Sequence, residues 1–413
     1  MPAAAPIPRG PSVTTLYSAA DLLTGPGCPV CRYAGEASAR YLAWFALEAH
    51  AQADTVTRLC ASLGMCPRHT RGLMSQPGAA TRLTAVYRYV VKAARDRLAG
   101  RAARLGECLA CEHDDGAVGR ALETLLEDLP DAAVRERYRE LGGLCLPHLR
   151  LALAHRDRGA SWLSQTLVAT VGTWPDIPVW LAGSDQDADV RAVLRQALPA
   201  DVRRDSLTCL ACLAAGQSER DQLARILRTG PAGLPDRRMR LCAAHLSDLA
   251  VLVGPRGVRP LLAWQAGCLG LSGPATDSPG ELPASPGGWP RIFRRPADAD
   301  RCPVCAENEA AARRAQDDLR ASLRAARPAS DHRVPLCVRH LLALRAADRW
   351  AGQVTARGAA DHADLLIAEL DEAFRKNTWA HRHDSKGAET TAWRRAAVFL
   401  DGGVFCGAPP RTA

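Results

Sequence analysis

The chain has 413 residues, enough for two or more domains, and 47% of them are hydrophobic, the usual content of a globular protein. No uninterrupted apolar run reaches the roughly 18 residues a membrane-spanning helix needs. The formal charge is +9 and nearly all of its positive side is arginine, the only lysines being Lys92, Lys376 and Lys386; an excess this modest gives weak support to nucleic-acid binding, which would also want basic residues clustered on one face.

The opening residues, Met1 to Gly10, are rich in Pro and Ala, carry a single Arg and lack an apolar core. They make a poor secretory signal, and residues 1–20 are expected to be a disordered tail. Fifteen cysteines follow, twelve of them in CxxC and CxxH patterns beside four histidines. With no export signal, that usage points to a reducing cytoplasm and to metal-bound thiolates rather than disulfides.

The patterns recur four times. Repeat one, residues 21–104, has Cys28 and Cys31, then Cys66 and His69. Repeat two, residues 105–183, has Cys108 and Cys111, then Cys145 and His148. Repeat three, residues 184–272, has Cys209 and Cys212, then Cys242 and His245. A Pro/Gly/Ser-rich linker, residues 273–297, precedes a unit of residues 298–413. That unit contains repeat four, with Cys302, Cys305, Cys337 and His340, and a C-terminal tail region. Three thiols and an imidazole form a closed tetrahedral donor set of the kind that holds structural zinc. About four zinc ions per chain are expected, with iron–sulfur clusters as the alternative. Each filled site adds about one negative charge, which lowers the net excess to roughly +5.

About 30 residues separate the two couples of every repeat. As one unbroken helix they would hold the couples roughly 45 Å apart. If both couples grip one ion, the segment must turn back midway, and breakers are present. Repeat one has a helical run from Ala37 to His50 and a fresh start at Asp54-Thr55. Repeat two has Leu129-Pro130-Asp131, repeat three Thr229-Gly230-Pro231, and repeat four Arg327-Pro328 or the stretch from Asp331 to Pro335. Each repeat therefore reads as a helical hairpin pinned at its open end by its own metal ion.

Each CxxH leads into an apolar-periodic run, which puts that couple at a helix N-terminus, where the backbone favours a thiolate. Gly64, Gly142 and Gly143 permit the tight approach before it. A strong amphipathic helix is expected from Thr81 to Arg104, a loop at Trp174 to Gly183, and further helices at Asp361 to Arg375 and Ala392 to Leu400. No alternation typical of sheet occurs. The fold expected is all-α, four tandem metal-pinned helical hairpins with connecting helices.

Cys60, Cys268 and Cys406 fall outside the pattern and read as small buried hydrophobes, a redox thiol being the other reading. His50, His113 and His155 stand alone, with His113 a substitute ligand in repeat two as its sharper reading. His381, Arg382 and His383, near Lys376 and Trp379, form a polar cluster read either as a solvated helix end or as an anion site. No phosphate loop, nucleophile elbow or HExxH motif is present.

Cys302-Pro303-Val304-Cys305 with Cys337 and His340, and Cys28-Pro29-Val30-Cys31 with Gly64, Cys66 and His69, resemble a bacterial domain family of unknown function. Its pattern is CPxC, a helical insertion, then GxCxxH leading into a Leu-rich helix. The tail from Phe374 to His383, followed by Ala392-Trp393-Arg394-Arg395-Ala396, is similar to that family as well. Repeats two and three lack the Pro, and Leu241 stands where the family has Gly. The resemblance implies a metal-binding helical fold and no activity. The favoured function is a non-enzymatic scaffold or interaction module with another protein as partner. A redox or metal-responsive protein, including an iron–sulfur electron carrier, and a nucleic-acid-binding regulator using Arg-rich helices such as Arg88 to Arg104 stay open.

Overall fold

The computed structural model describes residues 18–76, 78–100, 105–154, 209–229, 241–242, 244–246, 248–249, 252, 302–326 and 335–402. Among them there is no strand, and the fold is all-α. The expected loop at Trp174 to Gly183, the linker 273–297 and residues 1–17 of the expected 1–20 tail lie outside the described residues, while Ala19 and Ala20 of that tail are helical.

The first half runs α1 (Ala19–Leu22), α2 (Pro29–Leu47), α3 (Ala53–Ser62), α4 (Pro67–Met74), α5 (Ala79–Leu98), α6 (Leu109–Asp128), α7 (Ala132–Glu140) and α8 (Leu146–Ala154). The second half contributes α9 (Leu210–Thr229), α10 (Pro303–Ala326), α11 (Val338–Ala347), α12 (Arg349–Lys376) and α13 (Ala392–Leu400). In repeats one and two the breaks fall where the sequence puts them; Gly230-Pro231, Arg327-Pro328 and residues 331–334 lie outside the described residues. A 3-10 turn at Ala49–Ala51 separates α2 from α3. Asp131 caps α7, its carboxylate accepting from the Ala133 and Val134 N–H groups at 2.7 and 3.4 Å. Gly64, Gly142 and Gly143 have φ of +92°, +88° and +73°, a region that glycine enters without strain.

One expectation fails on length. The long helix after each CxxC begins at the residue following the first cysteine, with Pro29 at the first helical position of α2, not at Ala37. It therefore runs for 19 residues in α2 and 20 in α6, about 28 and 30 Å. The return helices α3 and α7 have 10 and 9 residues, about 15 and 14 Å. They are too short to carry the chain back to its start, so each CxxH stays near the far end of its own long helix.

What waits at that far end is the other repeat. Helices α2 and α6 pack side by side and antiparallel. Tyr41, late in α2, stacks on His113 in the first turns of α6, with ring centroids 4.6 Å apart. At the opposite end the Ala19 N–H, close before α2, reaches Asp128 at the end of α6 at 2.6 Å. Helices α9 and α10 form the equivalent pair. The unit of construction is thus two interlocked repeats, not one hairpin.

The two halves meet through α5 and α12, with α13 laid across both. The α5 stripe of Leu83, Val86, Tyr87, Val90, Val91 and Leu98 is buried, as its periodicity requires. Helix α12 starts at Arg349, twelve residues before the expected Asp361, capped by the Asp348 carboxylate, which accepts from the Ala351 N–H. Arg345 of α11 donates to the Arg97 and Leu98 carbonyls at 3.2 and 2.9 Å, satisfying the end of α5. Arg88 and Arg95 of α5 pair with Asp371 and Asp364 of α12.

Candidate metal centre

Four clusters of cysteine and histidine donors converge, with all donor atoms of a cluster within 4.8 Å of one another. All sixteen residues singled out in the sequence take part. The partners differ from the expectation. Cys28 and Cys31 meet Cys145 and His148, whereas Cys66 and His69 meet Cys108 and Cys111. In the second half Cys209 and Cys212 meet Cys337 and His340, whereas Cys242 and His245 meet Cys302 and Cys305. Every cluster therefore joins a CxxC from one repeat to a CxxH from another, and no repeat closes a cluster on itself. In each half one cluster is nested in the chain between the couples of the other. We call the nested clusters inner and the enclosing ones outer.

The local reason for convergence is common to all eight couples. The carbonyl of the first cysteine accepts the N–H four residues on, at 2.8–3.1 Å, in every one of them. That cysteine is the N-cap of a helix and the second donor sits at N3, one turn later on the same side. CxxH shares this with CxxC; the sequence indicated a helix N-terminus for the CxxH couples alone. Each cluster thus lies where two helix N-termini point at one spot, and their dipoles and unpaired N–H groups favour the negative charge of thiolates. One such bond runs from the Cys66 N–H to the Cys108 sulfur at 3.3 Å.

The spacing tests what such a site holds. An ion about 2.3 Å from sulfur and about 2.0 Å from nitrogen, at tetrahedral angles, puts sulfurs about 3.8 Å apart and sulfur and nitrogen about 3.5 Å apart. The cross-repeat sulfur pairs are Cys31–Cys145 at 3.6 Å, Cys66–Cys111 at 3.7 Å, Cys242–Cys305 at 3.8 Å and Cys212–Cys337 at 4.0 Å. The Nδ1 atoms of His69, His148, His245 and His340 lie 3.1–3.6 Å from their sulfurs. These separations fit one ion per cluster and exceed a disulfide bond of about 2.05 Å.

Protonation follows from the crowding. Hydrogen bonds from neighbouring thiols hold one cysteine per cluster far below the usual thiol range. It is Cys31 beside Cys145 and Cys28, Cys108 beside Cys111 and Cys66, Cys209 beside Cys212 and Cys337, and Cys302 beside Cys242 and Cys305. Their neighbours Cys111 and Cys305 are pushed far up, Cys111 by its hydrogen bonds with Cys108 and Cys66 and Cys305 by those with Cys242 and Cys302, with burial adding to both. Burial disfavours the imidazolium of His69, yet hydrogen bonds with Asp114, Cys108 and Cys66 outweigh it and raise its pKa to about 11. For His245 burial is likewise outweighed, by Cys242, Cys302 and Glu219, giving about 12. Without an ion the clusters hold protons on exchangeable thiols and imidazoles, and an incoming dication displaces them.

Among the described residues the inner and outer clusters differ in surroundings. In both inner clusters the histidine Nε2 faces a carboxylate: His69 meets Asp114 Oδ2 at 2.9 Å, and His245 meets Glu219 Oε1 at 2.8 Å. Such a partner fixes the tautomer and turns Nδ1 toward the ion. Asp114 also accepts from Arg68, which lies between Cys66 and His69. Asp114, three residues after Cys111 on the same helix, was findable by spacing. Glu219 was not, because it belongs to the helix of another couple. At one outer cluster Gly402 lies so close that a Cβ there would sit 2.9 Å from the Cys212 sulfur. Asp401 beside it pairs with Arg339, which stands between Cys337 and His340 and also donates to the Ser62 carbonyl.

The residues outside the pattern stay outside the clusters. Cys60 is half-buried, and burial pushes its thiol up. Cys268, Cys406 and His155 lie outside the described residues. His50 Nδ1 is 3.2 Å from the Phe45 carbonyl, and His113 stacks on Tyr41, so neither is a donor to a cluster. The charges of the tail cluster are matched locally: Arg375 binds Glu372 and Asp384, Lys376 binds Glu389, and His381 faces Asp384.

Comparison with family models, with curated proteins and with solved structures finds no match to this chain.

Proposed function

We propose that the protein is a zinc-fastened helical scaffold that presents a fixed surface to a protein partner and carries out no catalysis. The observation that carries this reading is the joining of two helix N-termini from different repeats by each Cys3His set. Zinc is favoured because three thiolates and one imidazole at single-ion spacing close the tetrahedron, with no position left for a substrate. A multi-iron cluster would spread its ligands over separate irons and hold them further apart. Thiolate centres of this kind belong in a reducing compartment such as the cytoplasm.

The energetic role is large. A structural zinc site contributes on the order of 10–16 kcal/mol in small peptides, against about 5–15 kcal/mol for the stability of a whole domain. Four such fasteners decide whether the interlocked pairs form. As for partners, no helix among the described residues is long and apolar enough to cross a membrane. Arg88 and Arg95, from the helix a nucleic-acid reading would use, are paired with aspartates of α12. Trp379 is 80% exposed, beside the end of α12.

Elemental analysis of freshly purified protein tests the metal: four zinc per chain is expected, and iron in multiples of the cluster count refutes it. Retention of the protein on immobilised nucleic acid at low salt refutes the partner class.

A further inference from the structure

We infer that the two inner centres, Cys66–His69–Cys108–Cys111 and Cys242–His245–Cys302–Cys305, are exchange sites that hand a soft divalent ion to thiol-bearing acceptors, while the two outer centres are permanent fasteners. This rests on the metal assignment above and adds a division of labour to it.

Three observations run together in both halves of the molecule. The first is access. Every cysteine of the outer centres is sealed: Cys28, Cys31 and Cys145 are 4%, 7% and 0% exposed, and Cys209, Cys212 and Cys337 are 2%, 4% and 1%. At the inner centres Cys66, Cys108 and Cys111, and likewise Cys242 and Cys305, are partly open, while Cys302 is buried; the histidines run the other way, His69 and His245 being buried and His148 and His340 partly open, so the difference in access is one of the sulfurs. Thiolate-bound zinc exchanges when an incoming ligand reaches the ion and a protein sulfur leaves it, so access to the sulfurs sets the rate. The second is the carboxylate behind each inner histidine, Asp114 and Glu219. It holds the imidazole in place when the ion departs, so the centre refills without rebuilding. The third is redundancy. The antiparallel long helices of each half are fastened at both ends, and an inner centre emptied at one end leaves the outer one to keep the register.

In the transfer the ion leaves as a dication with no change of oxidation state. Acceptor thiolates replace those of the protein one at a time, and the released cysteines take up the protons the acceptor loses.

The test uses the full chain after its zinc content has been measured. Failure to hold four ions after loading with excess zinc fails the metal assignment rather than this inference. Zinc release to a chromogenic chelator is followed alongside pulse alkylation with isotope-coded maleimide, read by mass spectrometry. Release in two phases is expected, two ions leaving at least tenfold faster than the others, with label arriving first on Cys66, Cys108, Cys111, Cys242 and Cys305. Release of all four in one step, or label reaching Cys145 or Cys337 as early as Cys66, overturns the inference. Asp114→Asn is expected to weaken zinc binding at its own centre by about 10-fold or more and to leave both outer centres unchanged. Unchanged binding there removes the role given to Asp114.

Discussion

The crossed pairing is tested most directly by isolating one repeat. Residues 1–100 carry two couples, Cys28 with Cys31 and Cys66 with His69, and the 19 residues of α2, about 28 Å of helix, run between them. Helix α3, with 10 residues, returns at most about 15 Å of that path. A single copy of this segment therefore offers an ion two donors, not four. If a complete set is worth about 10–16 kcal/mol, losing half of the donors costs on the order of 5–8 kcal/mol, or about 10⁴- to 10⁶-fold in affinity. Cobalt(II) reports the difference, because a tetrahedral thiolate site gives intense visible bands and sulfur-to-metal charge transfer. Residues 1–154 are expected to bind two cobalt ions tightly. Residues 1–100 are expected to bind tightly only when two copies associate, each lending its CxxC to the CxxH of the other, so light scattering accompanies the titration. A monomeric 1–100 segment that binds one cobalt tightly in a three-sulfur, one-nitrogen site would refute the reasoning.

Other consequences follow from single contacts. Gly352→Ala, normally a gain of about 1 kcal/mol inside a helix, is expected to destabilise by about 1–3 kcal/mol, because the new Cβ would lie 2.6 Å from the Arg345 Cα; urea unfolding of the metal-loaded protein gives the sign. Arg345→Ala leaves the Arg97 and Leu98 carbonyls without that donor and is expected to cost about 1–3 kcal/mol, read as a fall in Tm with metal content unchanged. Tyr138→Phe strands the buried Leu144 N–H, which the tyrosine oxygen accepts at 2.9 Å, with a similar cost and with metal loss confined to the Cys145 centre in competition with a chelator. Falling pH is expected to empty the centres as thiolates and imidazoles regain protons, with helical circular dichroism falling once the outer ions are lost; helicity fully retained after removal of all four ions would contradict the fastening role.

The donors were legible in the sequence because four copies of one spacing leave little to chance, and the helical class was legible because apolar periodicity is local. The partners were not, because CxxC followed by CxxH reads the same whether a couple closes on its own repeat or on a neighbour. The signal that separates the two cases is helix length. Pro29 directly after Cys28, and Pro303 after Cys302, mark first helical positions, so the long helices begin at the metal and outrun the short ones that follow. Starting the first helix at Ala37 made the outward and returning arms look equal, and equal arms make a hairpin. Glu219 stayed hidden for the same reason: its role exists only once Cys242 is known to face Cys302.

The nested order has a consequence during synthesis. Cys31 must wait 114 residues for Cys145 to emerge from the ribosome, whereas Cys66 waits 42 for Cys108. In the second half the delays are 125 residues from Cys212 to Cys337 and 63 from Cys242 to Cys305. The shorter loops close first and draw the later segments into place. Through the longer wait, the earliest thiols of each half travel on the nascent chain with no correct mate yet made. Until Cys108 emerges, the company available to Cys28 and Cys31 is the couple of their own repeat, and the stiffness of a freshly formed α2 keeps that premature match out of reach.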